Sequence, residues 1–188
     1  MGVPLSHLTG LYSGTDDPWN FRSSAYEAAK FAATVRALPR PAYRHCLELG
    51  CGNGELARRL AALCEAYTGL DAVDTALDAA RSAVPHGRFV QGYLPCPLPA
   101  GAYDLVVLSE ILYFLDPPTL AGLAQQVDSL WPAADVIAVS WCGPSGNDLE
   151  GGTAAEIFAR STRRVAVLVP GDDPSYRIDL FRPLDEIG

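Results

Sequence analysis

Three closely spaced glycines, Gly50, Gly52 and Gly54, follow a short apolar run in the segment LELGCGNGELA. Glycine tolerates positive φ angles and lets another group approach the backbone, so this loop could hold a ligand. The loop lacks the G-K-[ST] ending of a P-loop, and its third glycine comes one residue early for the dinucleotide pattern. Glu48, just before the loop, would repel a phosphate. The loop therefore favours a nucleoside-bearing ligand with a positive end and no pyrophosphate.

Other acidic residues follow the next apolar runs. Asp71 comes about 20 residues further on, where a carboxylate can accept hydrogen bonds from ribose hydroxyls. Since Asp is also favoured at helix starts, an N-cap is the alternative for Asp71. Glu110 follows another apolar run and could orient or deprotonate a nucleophile, with Tyr113 as the second candidate. An exposed strand end for Glu110 and simple helix packing for Tyr113 are the alternatives.

The elements that must position these residues alternate between strands and helices. Strands are predicted at 45–49, 66–70, 88–92, 103–109 and 135–141. Helices are predicted from a cap at Ser23 or Ser24 to Leu38, and at 55–65, 73–84, 117–131 and 153–161. Residues 1–17 are predicted to form an irregular arm. The segment RRVAVLVPGDDPSYRIDLFRP predicts two antiparallel strands, because a parallel crossover needs about a dozen residues.

This alternation predicts an α/β fold with a mostly parallel sheet, helices on both faces and a C-terminal antiparallel hairpin. We expect a single domain over residues 1–188, with an N-terminal arm and lid helix at 1–41 and a Rossmann-like core at 42–188. Ligands of such sheets bind beyond the carboxyl ends of the strands. The glycine loop, Asp71 and Glu110 should therefore lie at one edge.

The composition of the chain indicates which classes of binding partner to expect. The formal net charge is −8 and no Lys/Arg cluster is present, which disfavours a nucleic-acid surface. Five cysteines without C-x-x-C spacing and three isolated histidines predict reduced thiols and no metal site. No apolar run reaches membrane-spanning length, and the amino terminus lacks a signal-peptide pattern. We expect a cytoplasmic protein with a small-molecule partner, no nucleic acid and no membrane; nothing in the sequence indicates the oligomeric state.

Two pairs of segments resemble known families. LELGCGNG and GLD resemble the first motif and the ribose-binding acidic motif of class I S-adenosylmethionine-dependent methyltransferases. This resemblance covers roughly residues 47–182 and implies a Rossmann-like seven-stranded sheet, with S-adenosylmethionine as cofactor and S-adenosylhomocysteine as product. DPWNFRSSAYEAAKFAATVRALPR and YDLVVLSEILYFL resemble the NodS family of N-methyltransferases, which act on the amino sugar of nodulation factors.

The resemblance implies a cofactor site at four successive strand ends. The expected residues are Gly50, Cys51, Gly52, Asn53 and Gly54 at the methionine part, preceded by Glu48, then Asp71 and Ala72 at the ribose, Gly92, Tyr93 and Leu94 at the adenine, and Ser109, Glu110 and Ile111 at the sulfonium. Many relatives carry an acidic residue beside the adenine, whereas QGYLPCP has none. A backbone carbonyl or Tyr93 would take that role.

Three further residues lie in the predicted first helix or just before it. Trp19 and Tyr26 would form a lid over the cofactor by the same resemblance, or would simply dock the helix on the sheet. Arg22 could bind the cofactor carboxylate through a bidentate pair. The loop at 147–150 could select the substrate, and a solvated turn is the alternative.

These observations predict methyl transfer from S-adenosylmethionine to a small molecule, most simply to an amine such as an amino sugar. One alternative is an O-methyltransferase acting on a hydroxyl or carboxylate. Another is a homologue that binds the nucleoside without catalysis. An NAD-dependent dehydrogenase is disfavoured by the glycine spacing and by Glu48.

Overall fold

The computed structural model describes residues 2–171 and 173–183. Its strands form one seven-stranded sheet in the order β3-β2-β1-β4-β5-β7-β6. The strands are β1 (Tyr43–Leu49), β2 (Cys64–Asp71), β3 (Arg88–Gln91), β4 (Leu105–Ser109), β5 (Asp135–Trp141), β6 (Val165–Val169) and β7 (Tyr176–Arg182). The first five are parallel, and β7 lies antiparallel between β5 and β6. The predicted sheet with its C-terminal hairpin is confirmed.

Helices cover both faces of this sheet. In the described part of the chain they are α1 (Leu5–Leu11), α2 (Ala25–Arg36), α3 (Ala57–Ala61), α4 (Asp74–Ala83), α5 (Pro117–Leu130) and α6 (Gly151–Ser161), with a 3-10 turn at Leu112–Phe114. Successive strand residues point to opposite faces. Leu47 therefore joins one apolar core with Phe158 of α6, and Cys46 joins the other with Leu60 of α3. None of the helices described here is long and apolar enough to cross a membrane.

The second predicted helix is shorter than expected. The sequence predicts a helix over 55–65, but α3 ends at Ala61 and β2 begins at Cys64. Cys64 is paired with Tyr43 in the parallel ladder of β1 and β2, so sheet pairing overrides the helical propensity of this stretch. At the first predicted helix, Ser24 is the N-cap of α2, and its hydroxyl accepts a hydrogen bond from the Glu27 N–H at 3.2 Å.

The predicted irregular arm contains a helix, α1, so that prediction is wrong for residues 5–11. Leu8 and Leu11 of this segment pack against Val73, and this apolar contact orders a sequence of modest helix propensity. Before α1, the Val3 N–H donates to the Phe114 carbonyl at 2.8 Å, and Tyr93 Oη donates to the Val3 carbonyl at 2.8 Å. The amino-terminal segment therefore crosses from the end of β3 to the turn after β4.

Candidate functional site

The glycine loop directs its N–H groups back into the protein. The N–H groups of Gly50 and Cys51 both donate to the Leu70 carbonyl, at 2.8 and 3.1 Å. The Gly52 N–H donates to Asp71 Oδ2 at 2.9 Å. A phosphate cradle needs several free N–H groups that point at the anion. The first three N–H groups of this loop already donate to the protein, so the loop suits a ligand end that is not a phosphate.

The glycines of the loop serve different purposes. All three have positive φ, +81° at Gly50, +50° at Gly52 and +85° at Gly54. A Cβ on Gly50 would lie 2.0 Å from Ile111 Cγ2 and 2.5 Å from the Ser109 carbonyl oxygen, so only glycine lets the end of β4 approach the loop. A Cβ on Gly54 would lie 2.9 Å from the backbone of α4, which makes Gly54 a helix-packing position.

Glu48 lies beneath this loop and is almost completely buried, at 1% exposure. Tyr67 Oη donates to Glu48 Oε2 at 2.5 Å, while Glu48 Oε1 has no hydrogen-bond partner within residues 2–171 and 173–183. Burial raises the pKa of Glu48 to about 7. One carboxylate oxygen of Glu48 is therefore buried without a hydrogen-bond partner in the described part of the chain.

Asp71 links the ends of β1 and β2. Besides the bond from Gly52, its Oδ1 accepts from the Val73 N–H at 3.1 Å, and burial raises the pKa of its carboxyl group. The N-cap position of α4 belongs to Val73, without a side-chain cap. Ala72, between them, accepts a hydrogen bond from Gln91 of β3 through its carbonyl at 3.2 Å. Each oxygen of Asp71 keeps a lone pair for another donor.

The arm before α2 lies over the glycine loop with its aromatic side chains. Tyr12 is buried, and its hydroxyl would lie 3.6 Å from a Cβ on Gly52, with the Phe21 ring at 3.7 Å. Trp19 meets Tyr12 edge-on, with centroids 5.7 Å apart, and stacks on Phe21 at 5.5 Å. Trp19 thus belongs to a cover over the loop.

Polar contacts hold this arm on the glycine loop. Arg22, which was predicted to contact the cofactor, has its partners elsewhere. Asp17 Oδ1 accepts from Asn53 Nδ2 at 2.9 Å, while the buried Asn53 Oδ1 has no partner among the described residues. Arg22, by contrast, forms a bidentate pair with Asp16 at 2.7 Å and lies 3.8 Å from Glu55. The structure therefore places Arg22 on the exposed side of the arm, with other partners than the glycine loop.

The residues predicted to flank the adenine follow β3. The Gly92 N–H donates to the Asp71 carbonyl at 2.9 Å, which brings the two strand ends together. Tyr93 is exposed and holds Val3 through its hydroxyl. Leu94 packs against the core on the α5 and α6 face. Gly92 therefore lies beside the end of β2, Tyr93 is exposed after it, and Leu94 packs against the core.

A second polar cluster surrounds Glu110 at the end of β4. Glu110 has a φ of +54°, unusual for a residue with a side chain. Its Oε1 accepts from Lys30 Nζ at 2.6 Å, and its Oε2 accepts from Tyr113 Oη at 3.0 Å and from the Trp141 N–H at 2.7 Å. Glu110 therefore ties α2, the turn after β4 and the end of β5 together.

Lys30 is the centre of this cluster and is 3% exposed. Its ammonium also bonds Glu27, at 3.1 Å to Oε1 and 2.9 Å to Oε2. Burial acts to lower the pKa of Lys30, but the charges and hydrogen bonds of Glu110 and Glu27 outweigh it and raise the pKa. Burial also raises the pKa of Tyr113 and of Glu27. The cluster holds two carboxylates for one ammonium.

Aromatic rings border the same cluster. The Tyr26 ring centroid lies 5.4 Å from Lys30 Nζ, within cation–π range. Tyr26 meets the rings of Trp141 and Tyr176 edge-on, each at 6.0 Å, and its hydroxyl accepts from Ser175 Oγ at 2.9 Å. Tyr26 therefore lies at the acidic cluster, whereas Trp19 lies at the glycine loop.

Sequence reasoning missed Lys30, Glu27, Tyr12 and Asp17. The spacing of Ser24 and Glu27 is typical of a capping box, in which the glutamate carboxylate would return to the cap. In the structure the Glu27 carboxylate bonds Lys30 instead. The signal available in the sequence was this Glu27–Lys30 spacing of three on a helix that carries few other charges.

The loop at 147–150 is held mainly by its own hydrogen bonds. Ser145 N–H donates to Glu150 Oε2 at 2.8 Å, Ser145 Oγ donates to the Leu149 carbonyl at 2.9 Å, and Asn147 N–H donates to Ser145 Oγ at 3.1 Å.

All five cysteines are free thiols. Residues 2–171 and 173–183 hold no cluster of three or more His, Cys, Asp or Glu side chains able to bind a metal ion.

The sheet order, with its antiparallel last pair, and the glycine loop bonded to the acid at the end of β2 define a Rossmann-like fold of the methyltransferase type. The family model of nodulation protein S (NodS) matches residues 11–137. The chain belongs to the NodS family.

Individual relatives agree with this assignment. Nodulation protein S of Bradyrhizobium diazoefficiens is 31% identical over 106 residues, which are 53% of this chain and 50% of the relative. That of Sinorhizobium fredii is 26% identical over 145 residues, 75% of this chain and 62% of the relative. The chain thus spans about half the length of the first of these curated relatives.

A solved structure shares the fold over nearly the whole chain. The N-methyltransferase NodS from Bradyrhizobium japonicum WM9, in complex with S-adenosyl-L-homocysteine, superimposes with a TM-score of 0.81. It is 21% identical, and the match covers 96% of this chain and 98% of that one.

Proposed function

We propose that this protein transfers a methyl group from S-adenosylmethionine to the nitrogen of a small-molecule amine. One observation carries the proposal: the glycine loop uses its N–H groups on Leu70 and Asp71, and leaves the buried Glu48 Oε1 without a partner among the described residues. A loop that offers oxygen atoms favours a ligand with a positive end over a pyrophosphate. The NodS relative crystallised with S-adenosyl-L-homocysteine supports the same ligand.

The residues present fit this cofactor. Each carboxylate oxygen of Asp71 accepts one backbone N–H, from Gly52 or from Val73, and keeps a lone pair that could accept a ribose hydroxyl. Glu48 Oε1 and the buried Asn53 Oδ1 would accept from the ammonium of the methionine part. Gly52 has space at its Cβ position, bounded only by aromatic groups of the arm, so a ligand could lie against its backbone.

The chain's contribution to the reaction is to hold and align the two reactants. When bound, S-adenosylmethionine would supply a methyl group activated by its sulfonium. An acceptor that arrives as an ammonium ion would first release a proton to solvent, and its neutral nitrogen would then form the N–C bond as the C–S bond breaks, leaving S-adenosylhomocysteine. The aromatic cover formed by Tyr12, Trp19 and Phe21 would exclude water from the cofactor. Holding two groups in contact can replace a large part of the activation entropy.

The acceptor would bind between the glycine loop and the Glu110 cluster. Gly50 contacts Ser109 and Ile111, so the end of β4 adjoins both regions. Glu27 and Glu110 place two carboxyl groups around the single ammonium of Lys30, which favours an acceptor that approaches as an ammonium ion. This charge balance supports an amine over a hydroxyl or a carboxylate. Glu110 and Tyr113 are the residues we assign to the acceptor side.

The proposal extends to the domain organisation, the partner and the location of the enzyme. We treat residues 1–188 as one domain, with 1–41 as arm and lid helix and 42–188 as core. Its partner is a small-molecule acceptor rather than a nucleic acid, since the net charge is −8. A cytoplasmic location fits the five free cysteines, which stay reduced in that compartment.

Two measurements test the proposal. Calorimetry with S-adenosylhomocysteine and with NADH should show binding of the first alone; binding of NADH alone would overturn the cofactor. Incubation of S-adenosylmethionine with glucosamine, glucose and N-acetylglucosamine, followed by mass spectrometry with fragmentation, should show a methyl group on the glucosamine nitrogen. A methyl group on oxygen would favour the O-methyltransferase alternative. Cofactor binding without transfer to any member of a wider amine and hydroxyl panel would favour a non-catalytic homologue.

A further inference from the structure

Glu110 is held as an acceptor-only carboxylate by its surroundings. Each of its oxygens receives at least one hydrogen bond, from Lys30 Nζ on Oε1 and from Tyr113 Oη and the Trp141 N–H on Oε2. The Lys30 ammonium and the Trp141 N–H can only donate, so each oxygen of Glu110 acts as an acceptor in these bonds.

The hydrogen bonds that Glu110 accepts fix the direction of its bond with Tyr113. Because Glu110 can only accept, the single hydroxyl hydrogen of Tyr113 must point at Oε2. The Tyr113 oxygen is then left with lone pairs and no further hydrogen to donate. Lys30 thereby determines, through Glu110, that Tyr113 Oη acts as a hydrogen-bond acceptor towards a third group.

We propose that Lys30 is a positioning residue of the acceptor site and that Tyr113 Oη accepts a hydrogen bond from the N–H of the substrate amine. This inference rests on the proposed function. An amine held through one N–H has its nitrogen lone pair oriented, which is what in-line attack on a methyl group requires.

Stability alone does not account for this arrangement. Replacement of a buried ion pair by apolar groups is often neutral or stabilising, so α2 could pack on the sheet without Lys30 and Glu110. The positive φ of Glu110 adds backbone strain. Both features lie beside the contact of Gly50 with Ile111, where the proposed cofactor and acceptor meet.

A double-mutant cycle tests the inference. Lys30→Met, Tyr113→Phe and the double variant are assayed for kcat and KM with the amine that the wild type methylates fastest in the panel, and for S-adenosylhomocysteine affinity by calorimetry. Each single variant should lower kcat/KM about 10- to 100-fold, the range of a hydrogen bond to a charged group. The double variant should be no worse than the poorer single variant by more than about threefold, since both remove one interaction.

Matched variants separate positioning from folding. Lys30→Arg keeps the charge and should retain most of the activity, and Arg36→Met removes an exposed charge from the same helix and should behave as the wild type. If Lys30→Met unfolds below the assay temperature, Glu110→Gln replaces it in the cycle, because a neutral amide can donate to Tyr113 and reverse the bond.

The outcomes distinguish this inference from the function on which it rests. Losses that multiply in the double variant, a Lys30→Met enzyme with wild-type kinetics, or a loss confined to S-adenosylhomocysteine affinity would each overturn the role of Lys30. A wild-type protein that binds no S-adenosylhomocysteine, or methylates nothing, overturns the proposed function itself.

Discussion

Gly52 and Asp71 are joined by a direct hydrogen bond, from the Gly52 N–H to Asp71 Oδ2 at 2.9 Å. The bond couples the shape of the glycine loop to the acid at the end of β2. A ligand that engages Asp71 therefore contacts a group that also sets the backbone of the loop.

Replacement of Asp71 by Asn should weaken S-adenosylhomocysteine binding about 10- to 100-fold. The amide loses the charge that receives the Gly52 N–H and that, in the proposed function, would receive the ribose hydroxyls. A charged hydrogen bond contributes about 1.5–3 kcal/mol. Calorimetry measures the change. Asp78→Asn is the control, because Asp78 pairs with Arg81 on the exposed face of α4. Equal affinity of the Asp71 variant and the wild type would rule out the ribose role.

Gly50→Ala should destabilise the protein and abolish cofactor binding. The φ of +81° is unfavourable for alanine by about 1–2 kcal/mol, and the new Cβ would meet Ile111 and the Ser109 carbonyl. Thermal melting with and without S-adenosylhomocysteine checks both effects. Gly122→Ala is the matched control at an exposed position of α5, where nothing lies within 4 Å of the added Cβ, and it should stabilise by about 0.5–1 kcal/mol. A Gly50 variant that melts like the Gly122 variant would contradict the close approach.

The sequence predicted those parts of the site that depend on backbone order. The glycine loop and Asp71 follow strands whose apolar runs are plain, and parallel pairing of β1 with β2 brings them together. Lys30 was out of reach of such reasoning because its partner Glu110 is 80 residues away. A lysine in a helix is normally a solvated residue, and only tertiary packing reveals that this one is buried.

Local propensity also misplaced one element, and one side chain has a partner that the sequence did not indicate. The arm was predicted to be irregular because of its Gly, Ser, Thr and Pro content, yet α1 forms where Leu8 and Leu11 find an apolar surface at Val73. Arg22 was expected to be able to bind the cofactor carboxylate through a bidentate pair; in the structure it forms such a pair with Asp16, and its role towards the cofactor stays a prediction. Both cases turn on contacts that spacing alone does not specify.

Arg164→Met should lower the free energy of unfolding by about 3–5 kcal/mol. Arg164 Nε donates to Asp128 Oδ1 at 2.9 Å, both residues are buried, and the guanidinium also bonds the Trp131 and Ala134 carbonyls. Removal of the arginine leaves a buried charge without its counter-ion. Urea unfolding followed by circular dichroism measures the loss.

The control for that variant is Arg160→Met. Arg160 lies 3.6 Å from Glu156 on the exposed face of α6, and such pairs contribute at most about 1 kcal/mol. A loss below about 1 kcal/mol for the Arg164 variant would show that the network is not needed for stability. Both variants should keep wild-type S-adenosylhomocysteine affinity at temperatures where they are folded.

Glu48 should make the protein less stable as the pH rises. Burial raises the pKa of Glu48 from its ordinary value of 4.5 to about 7. The folded state therefore holds a proton that the unfolded chain releases between about pH 4.5 and 7. Stability falls across this window by about 3 kcal/mol and stays lower above it. Glu48→Gln, which keeps an acceptor for Tyr67, should remove this loss and be the more stable protein at pH 8.

The same substitution should weaken S-adenosylhomocysteine binding about tenfold at pH 8, because the amide cannot supply the charge that, in the proposed function, Glu48 Oε1 would offer to the ammonium of the ligand. Urea unfolding from pH 4.5 to 8, with calorimetry at pH 8, measures both effects. Glu65→Gln, an exposed change in β2, should leave the pH dependence and the affinity as in the wild type. Other carboxyls with raised pKa, such as those of Asp71 and Glu27, titrate in both proteins, so the difference between the two curves isolates Glu48. If the Glu48 variant has the wild-type pH slope, Glu48 does not titrate with a raised pKa and the prediction fails. If the variant is more stable and binds the cofactor more weakly, Glu48 lowers the stability of the fold and strengthens cofactor binding.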